Sequence, residues 1–212
     1  MSPETSDAAT TAAPLTRRDR YALQTRRELL DAAIACFSTD GYAATSLSDI
    51  GRRAQVTRGA VYHHFESKQA LFEEVLLEQL VIGVAGLRAA TTGDDPAVRA
   101  ASALTAFLEL CSTEPFRTIV MEQGPAALGW RRWRELDQGH TLQVIQEHLV
   151  ALAAEGVIAV HVTQVLAQLL YACLHEAADL VAHAPVEQRD ALQEEAVGVV
   201  LRFLAGLGPV DP

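Results

Sequence analysis

Three hydroxyl residues, Ser46, Thr57 and Ser67, each stand directly before a run whose apolar positions repeat at helical spacing. Together they confine residues 46 to 66 to two short helices in close succession, because each hydroxyl can cap a helix start and so end the segment before it. Ser46 has Asp49 three residues on, the pair that satisfies free amides at a helix N-terminus, and the segment buries Leu47, Ile50 and Ala54. After Gln55-Val56 the next helix opens at Thr57 and runs to about 64, with Ala60 and Val61 inward and Phe65 closing it. Upstream, QTRRELLDAAIACFSTDG places Leu30, Ala33, Ile34 and Phe37 on one helical face and Gly41 at the expected C-cap. Ser67 opens a long helix from about 68 to 90. Its apolar positions Leu71, Phe72, Val75, Leu76 and Leu80 wrap more than one face, as suits a connector between a small head and a larger body.

Beyond the linker TTGDDP the pattern predicts five more helices, at about 97–113, 116–122, 127–154, 163–183 and 187–206, punctuated by Pro115, Gly124-Pro125, Gly156 and Pro185. No segment alternates as a strand would, and no repeat recurs at a fixed period. The expectation is an all-α protein of about nine helices, divided into a tail at 1–16, a head at 17–68 and a body at 69–212. The tail, rich in Ser, Thr, Ala and Pro, is expected to be disordered.

A net charge of −10 looks hostile to nucleic acid, but the charge is uneven. Residues 17–68 hold nine basic side chains against six acidic ones, whereas residues 69–212 hold eight against nineteen. One end can therefore face a polyanion while the rest limits indiscriminate binding.

Cys36, Cys111 and Cys173 lie singly in apolar settings, without the spacing of a disulfide framework or a zinc site, and read as small core residues in a reducing compartment. No stretch approaches the ~18 apolar residues of a membrane span, and the polar N-terminus does not read as a signal peptide. The expected location is cytoplasmic, without a membrane partner. Sequence motifs for a nucleophile elbow, a phosphate-cradling loop or a zinc protease helix are missing, so neither an enzyme nor a cofactor is expected.

Short helices joined by a tight turn describe a helix-turn-helix, whose second helix enters the major groove; here its outward positions are Arg58, Gly59, Tyr62 and His63. His63 and His64, adjacent on one helix, point about 100° apart and cannot ligate one metal as an i, i+4 pair can. Residues 25–72, from TRRELLDAAIACFSTDGYAATSLSDIGRR through AQVTRGAVYHHFESKQALF, resemble the DNA-binding head of the TetR family of transcriptional regulators. GWRRWRELD and LLYACLHEAADLVA are similar to body segments of some members.

The resemblance implies that Tyr62 holds a DNA phosphate and that His63 and His64 match the histidine region ending the recognition helix. It implies that Lys68 binds phosphate at the start of the long helix, where the helix dipole adds to its charge. Thr45 and Ser46 match positions that meet the DNA backbone through hydroxyls and amides. Arg58 is the candidate for reading a base, since a guanidinium pairs bidentately with guanine, and Gly59 permits close approach. Arg17, Arg18 and Arg20 form an arm that would reach a neighbouring groove or phosphates. Gln55 departs from the family at a turn where glycine is usual, and a positive φ there costs about 1 kcal/mol.

The resemblance further implies a homodimer on a palindromic double-stranded operator, repressing until a small-molecule effector binds the body. The helices at 163–183 and 187–206 match the pair that forms the dimer seam, with Val197, Val200, Leu201 and Leu204 as its apolar face. Phe107, Phe116, Met121, Trp130, Tyr171 and His175 are candidates for an effector pocket. Trp130 and Trp133, three apart, share a face that reads first as packing. The stripe Gln164, Gln168, Tyr171, His175, Asp179 and His183, opposite Leu166, Leu170, Cys173 and Ala177, admits three readings: a solvated face, a pocket or seam, or a metal site from 175, 179 and 183. The alternatives to an effector-released repressor are thus a metal-responsive regulator or a helical-bundle enzyme.

Overall fold

The computed structural model describes residues 16–208 except 160, so the expected tail lies outside the described residues apart from Thr16. All regular structure among them is helical. The head comprises α1 (Arg17–Ala44), α2 (Leu47–Arg53) and α3 (Arg58–His64), and α4 (Lys68–Ala90) connects it to the body. The body holds α5 (Pro96–Ser112), a π-helical stretch (Arg117–Gln123), α6 (Gly124–Leu128), α7 (Trp130–Ala154), α8 (Gln164–His183) and α9 (Val186–Ala205).

Helix α1 begins seven residues ahead of the periodic pattern because Thr16 and Asp19 form a reciprocal cap at its start. Arg17, Arg18 and Arg20, expected to form an arm reaching a neighbouring groove or phosphates, consequently lie in its first turns. Gly41 breaks the helix at φ 80°, ψ 161°, in a region costly for any residue with a Cβ. The predicted caps Ser46, Thr57 and Ser67 each accept the amide three residues on.

One continuous core joins head and body. Phe72 of α4 packs edge-on against Phe37 and Tyr42 of α1, with ring centroids 5.1 and 4.9 Å apart, so the first turns of α4 complete the head's core. Arg26 pairs with Glu74, and Arg27 with Glu78, holding α1 along α4. In the body, α5 packs against α4, α8 and α9, while α7 lies against α4 and α8.

Several body expectations change: the helix expected at 116–122 is π-helical over Arg117–Gln123, and the one expected at 127–154 is divided at Gly129 into α6 and α7. Cys173 is exposed rather than core. On α9, Val200 and Leu204 are buried and Val197 and Leu201 pack partly against the core; the exposed large apolar residues there are Val186, Val199 and Phe203. Helix α8 is long and apolar enough to cross a membrane by length and composition, with mean hydropathy 1.3, contrary to the reading that no stretch is. Its face of Ala167, Leu170, Leu174 and Ala178 is buried inside the bundle.

Candidate nucleic-acid interface

The helix-turn-helix is set by one close approach. A Cβ on Gly51 of α2 would lie 2.8 Å from Val61 Cγ2, so only glycine lets α3 cross α2 with Val61 fully buried. The intervening turn passes through Gln55 at φ 57°, the positive angle expected at that departure, and the Val56 amide donates to the Gly51 carbonyl at 2.9 Å. With Val61 and Phe65 inward, Arg58, Gly59, Tyr62 and His63 are exposed.

Five of the eight proposed contact residues, Thr45, Ser46, Arg58, Tyr62 and Lys68, line one open groove between the starts of α2 and α4 and the flank of α3. The Arg58 guanidinium sits 5.5 Å from the Tyr62 ring centroid, a cation–π contact on the open face. Gly59 lies on the same exposed helix but outside the groove lining, as do His63 and His64. The two imidazoles meet edge to face at 5.3 Å. Burial, then His63 and Arg26, push the His64 imidazole below its ordinary value, favouring the neutral ring.

Two groove residues point their polar atoms inward. Thr45 is buried, and its hydroxyl donates to the Gly41 carbonyl at 2.8 Å. The Lys68 ammonium donates to the carbonyls of Tyr42 at 2.6 Å and Thr45 at 2.9 Å, and lies 4.3 Å from the Tyr42 ring centroid. Both were expected to reach outward. Instead they close the end of α1, whose last carbonyls the Gly41 break leaves without helical partners.

The basic surplus of the head is likewise partly spent internally. Besides the pairs of Arg26 and Arg27, Arg52 pairs with Asp49 at 2.6 Å. Among the described residues, Arg17, Arg18, Arg20, Arg53 and Arg58 remain outside ion pairs, and all five are exposed.

Head and body are joined by a residue the sequence did not mark. The Gln123 side chain accepts from the Tyr42 amide at 2.7 Å and donates to the Phe37 carbonyl at 2.9 Å. It ends the π-helical stretch, which is tied in turn to α7 by Trp133, whose Nε1 donates to the Val120 carbonyl at 2.8 Å.

Four of the six effector candidates, Met121, Trp130, Tyr171 and His175, line a single open cavity of about 410 Å³. Phe107 lines a different one, an apolar space of about 60 Å³ among α4, α5, α7, α8 and α9, though its ring lies 5.7 Å from His175. Phe116 lines neither and packs against Gly83 of α4. Trp133 is buried while Trp130 is 57 % exposed, their rings 4.9 Å apart.

The polar stripe of α8 divides. Tyr171 is buried and its hydroxyl donates to Asp137, a fully buried carboxylate on α7 that also accepts from Thr141 at 3.0 Å. Burial, then the Asp137 charge, push the Tyr171 phenol well up, keeping it a donor. His175 Nε2 lies 3.0 Å from Asp137 Oδ2, yet neither ring nitrogen is in hydrogen-bonding geometry with a partner. Asp179 and His183 pair at 3.3 Å on the exposed surface. His175 therefore turns away from the other two, and among the described residues no group of three such ligands could hold a metal. Asp137 was missed because a lone acid in a helical pattern reads as surface.

Comparison with known proteins agrees with this architecture in both halves. Residues 29–75 match the family of bacterial regulatory proteins described as tetR, and residues 98–207 match the tetracyclin repressor-like C-terminal domain. A TetR-family transcriptional regulator from Pectobacterium atrosepticum is similar at 32% identity and a TM-score of 0.75, over 93% of this chain and 100% of that one. A probable acrEF/envCD operon repressor of Escherichia coli (strain K12) is 53% identical over 63 residues, 30% of this chain and 29% of that protein. The HTH-type transcriptional regulator AcrR of Shigella flexneri is 40% identical over 103 residues, 48% of each. The chain thus spans less than half the length of these two curated relatives. Family members are transcriptional regulators rather than enzymes. A glycine-tight helix-turn-helix, a helical body and matches across both place this chain in the TetR family of DNA-binding transcriptional regulators.

Proposed function

We propose that the chain is a homodimeric, cytoplasmic repressor that grips a palindromic operator through α3 and releases it when a small molecule occupies the body. The observation that carries this reading is the convergence of Ser46, Arg58, Tyr62 and the start of α4 on one open groove, with Arg58 and Tyr62 exposed. Arg58 reads a base edge, and Tyr62, His63 and Ser46 meet phosphates; Gly59 lets the helix sit close. His64 packs behind them. Thr45 and Lys68 act by positioning, since they fix the α1–α2 corner against α4.

One recognition helix contacts too few base pairs for specificity, and two-fold symmetry doubles the contacts. Val165, Leu169 and Leu180 of α8 with Val199 and Phe203 of α9 are exposed apolar side chains on the last two long helices, and a second copy would cover them. The division at residue 68 is functional, with α4 serving head and body alike. The metal-responsive alternative loses its support because His175 faces Asp137.

The test is operator selection from a pool of random duplexes. Enriched sites should be palindromes with half-sites about one helical turn apart, or a multiple of it; enrichment of single, unpaired half-sites by a monomer would sink the reading.

A further inference from the structure

The open cavity at the junction of α7, α8 and the π-helical stretch contains two donor groups that the protein itself satisfies only in part. Arg88, Arg99, Arg117 and Arg132 of the body each pair with a carboxylate. Arg134, half-buried in the cavity wall, pairs with none among the described residues. Its guanidinium lies 5.3 Å from the Tyr171 ring centroid and 5.8 Å from that of Trp130. The Gln138 amide lies 3.1 Å from its Nε and Nη2, occupying one edge. A guanidinium resting on aromatic faces keeps its in-plane N–H groups for a carboxylate. The second group is His175, which lines the cavity; its Nε2 stands 3.0 Å from Asp137 Oδ2 outside hydrogen-bonding geometry, and its buried Nδ1 has no partner among the described residues.

We propose that this cavity binds a small organic carboxylate bearing an aromatic group, the carboxylate gripped by Arg134 and His175 and the ring laid against Trp130 and Met121. Charge alone does not select the ligand, because Glu176 and Asp179 stand at the rim and Asp137 lies behind Tyr171. These acids disfavour a bare inorganic anion, so affinity must come from the charge-assisted bonds together with apolar contact. Trp133 shares the cavity wall and carries the bond to Val120, which links occupancy to the stretch that ends in Gln123. Only this last consequence rests on the effector-release reading; binding can be measured apart from it.

Both tryptophans of the chain line the cavity, so selectively excited tryptophan fluorescence reports on this site. The probes are phenylacetate and 3-phenylpropionate, set against their amine isosteres phenethylamine and 3-phenylpropylamine and against inorganic phosphate. Saturable quenching by a carboxylate is expected, with the matching amine and Arg134→Gln each weakening it by about tenfold or more. His175→Gln is the second variant, expected to weaken carboxylate binding in the same direction, and it decides the matter if Arg134→Gln melts without cooperativity. Amines binding as well as carboxylates, phosphate binding as well, undiminished binding by the variants, or no saturation by either carboxylate would each overturn the proposal. A carboxylate that saturates the signal but leaves operator affinity unchanged would leave the site standing and defeat the effector-release reading instead.

Discussion

Gln123 of the body holds Tyr42 of the head: its side-chain oxygen accepts from the Tyr42 amide at 2.7 Å while its nitrogen donates to the Phe37 carbonyl at 2.9 Å. Two backbone groups on either side of the Gly41 break thus depend on one side chain 81 and 86 residues away. Gln123→Leu keeps similar volume but leaves both unmet in a half-buried place. Urea unfolding should show a loss of about 1–2 kcal/mol. No loss would mean that water replaces the amide without cost.

Positioning and contact residues of the head should separate experimentally. Arg58→Ala and Tyr62→Ala remove exposed side chains, so melting should barely move while operator binding falls. Arg58→Ala should also relax base preference, by about 1–3 kcal/mol at one position, whereas Tyr62→Ala should weaken all sequences alike. Lys68→Ala should weaken binding across sequences and lower the melting temperature as well, because it strips the carbonyls of Tyr42 and Thr45 of their donor. An unchanged melting temperature for Lys68→Ala would return that ammonium to the role of a direct phosphate contact.

The turn between α2 and α3 stores strain at Gln55, φ 57°. Gln55→Gly should raise stability by about 1 kcal/mol, since glycine occupies that region without the Cβ penalty. Thermal or urea denaturation reads it directly, and a destabilised variant would mean that the Gln55 side chain makes up for its backbone.

His64 gives the head a pH dependence of fixed sign. Burial holds its pKa in the folded protein below the ordinary 6.5, so the unfolded chain takes up the proton first. The contribution of neutral His64 is fully present above 6.5 and is lost as pH falls through the lower folded value. His64→Gln should therefore flatten the decline of melting temperature as pH falls below about 6.5. An unaltered slope would assign the decline to other groups.

What local chemistry decides was legible from the sequence. The caps at Ser46, Thr57 and Ser67 and the ends of α4 were correctly located because a cap depends on residues three apart. The interior of 117–123 was not, since a π-helical stretch keeps an apolar pattern that passes for an ordinary helix. Lys68 and Thr45 were read as outward because their acceptors are carbonyls, which carry no residue-type signal. Asp137, Tyr171 and His175 meet only through tertiary packing of α7 on α8. On α9 the period identified an apolar stripe correctly but not which of two stripes faces inward.

That second stripe gives the remaining prediction. Phe203 is 45 % exposed and Leu169 57 % exposed on neighbouring helices. Phe203→Glu should shift sedimentation from dimer to monomer and abolish tight operator binding, because an uncompensated charge would be buried in the seam. A dimer that survives both Phe203→Glu and Leu169→Glu would move the interface elsewhere on the body.

Lys68 is also the chain's single lysine. Reagents that acylate amines, whether laboratory labels or metabolic acyl donors, find one side-chain target, and its nitrogen is held against the Tyr42 and Thr45 carbonyls at the end of α1. The rate at which such a reagent modifies Lys68 is therefore a clock for the opening of the corner between α1 and α4, readable by mass without a tag on the protein.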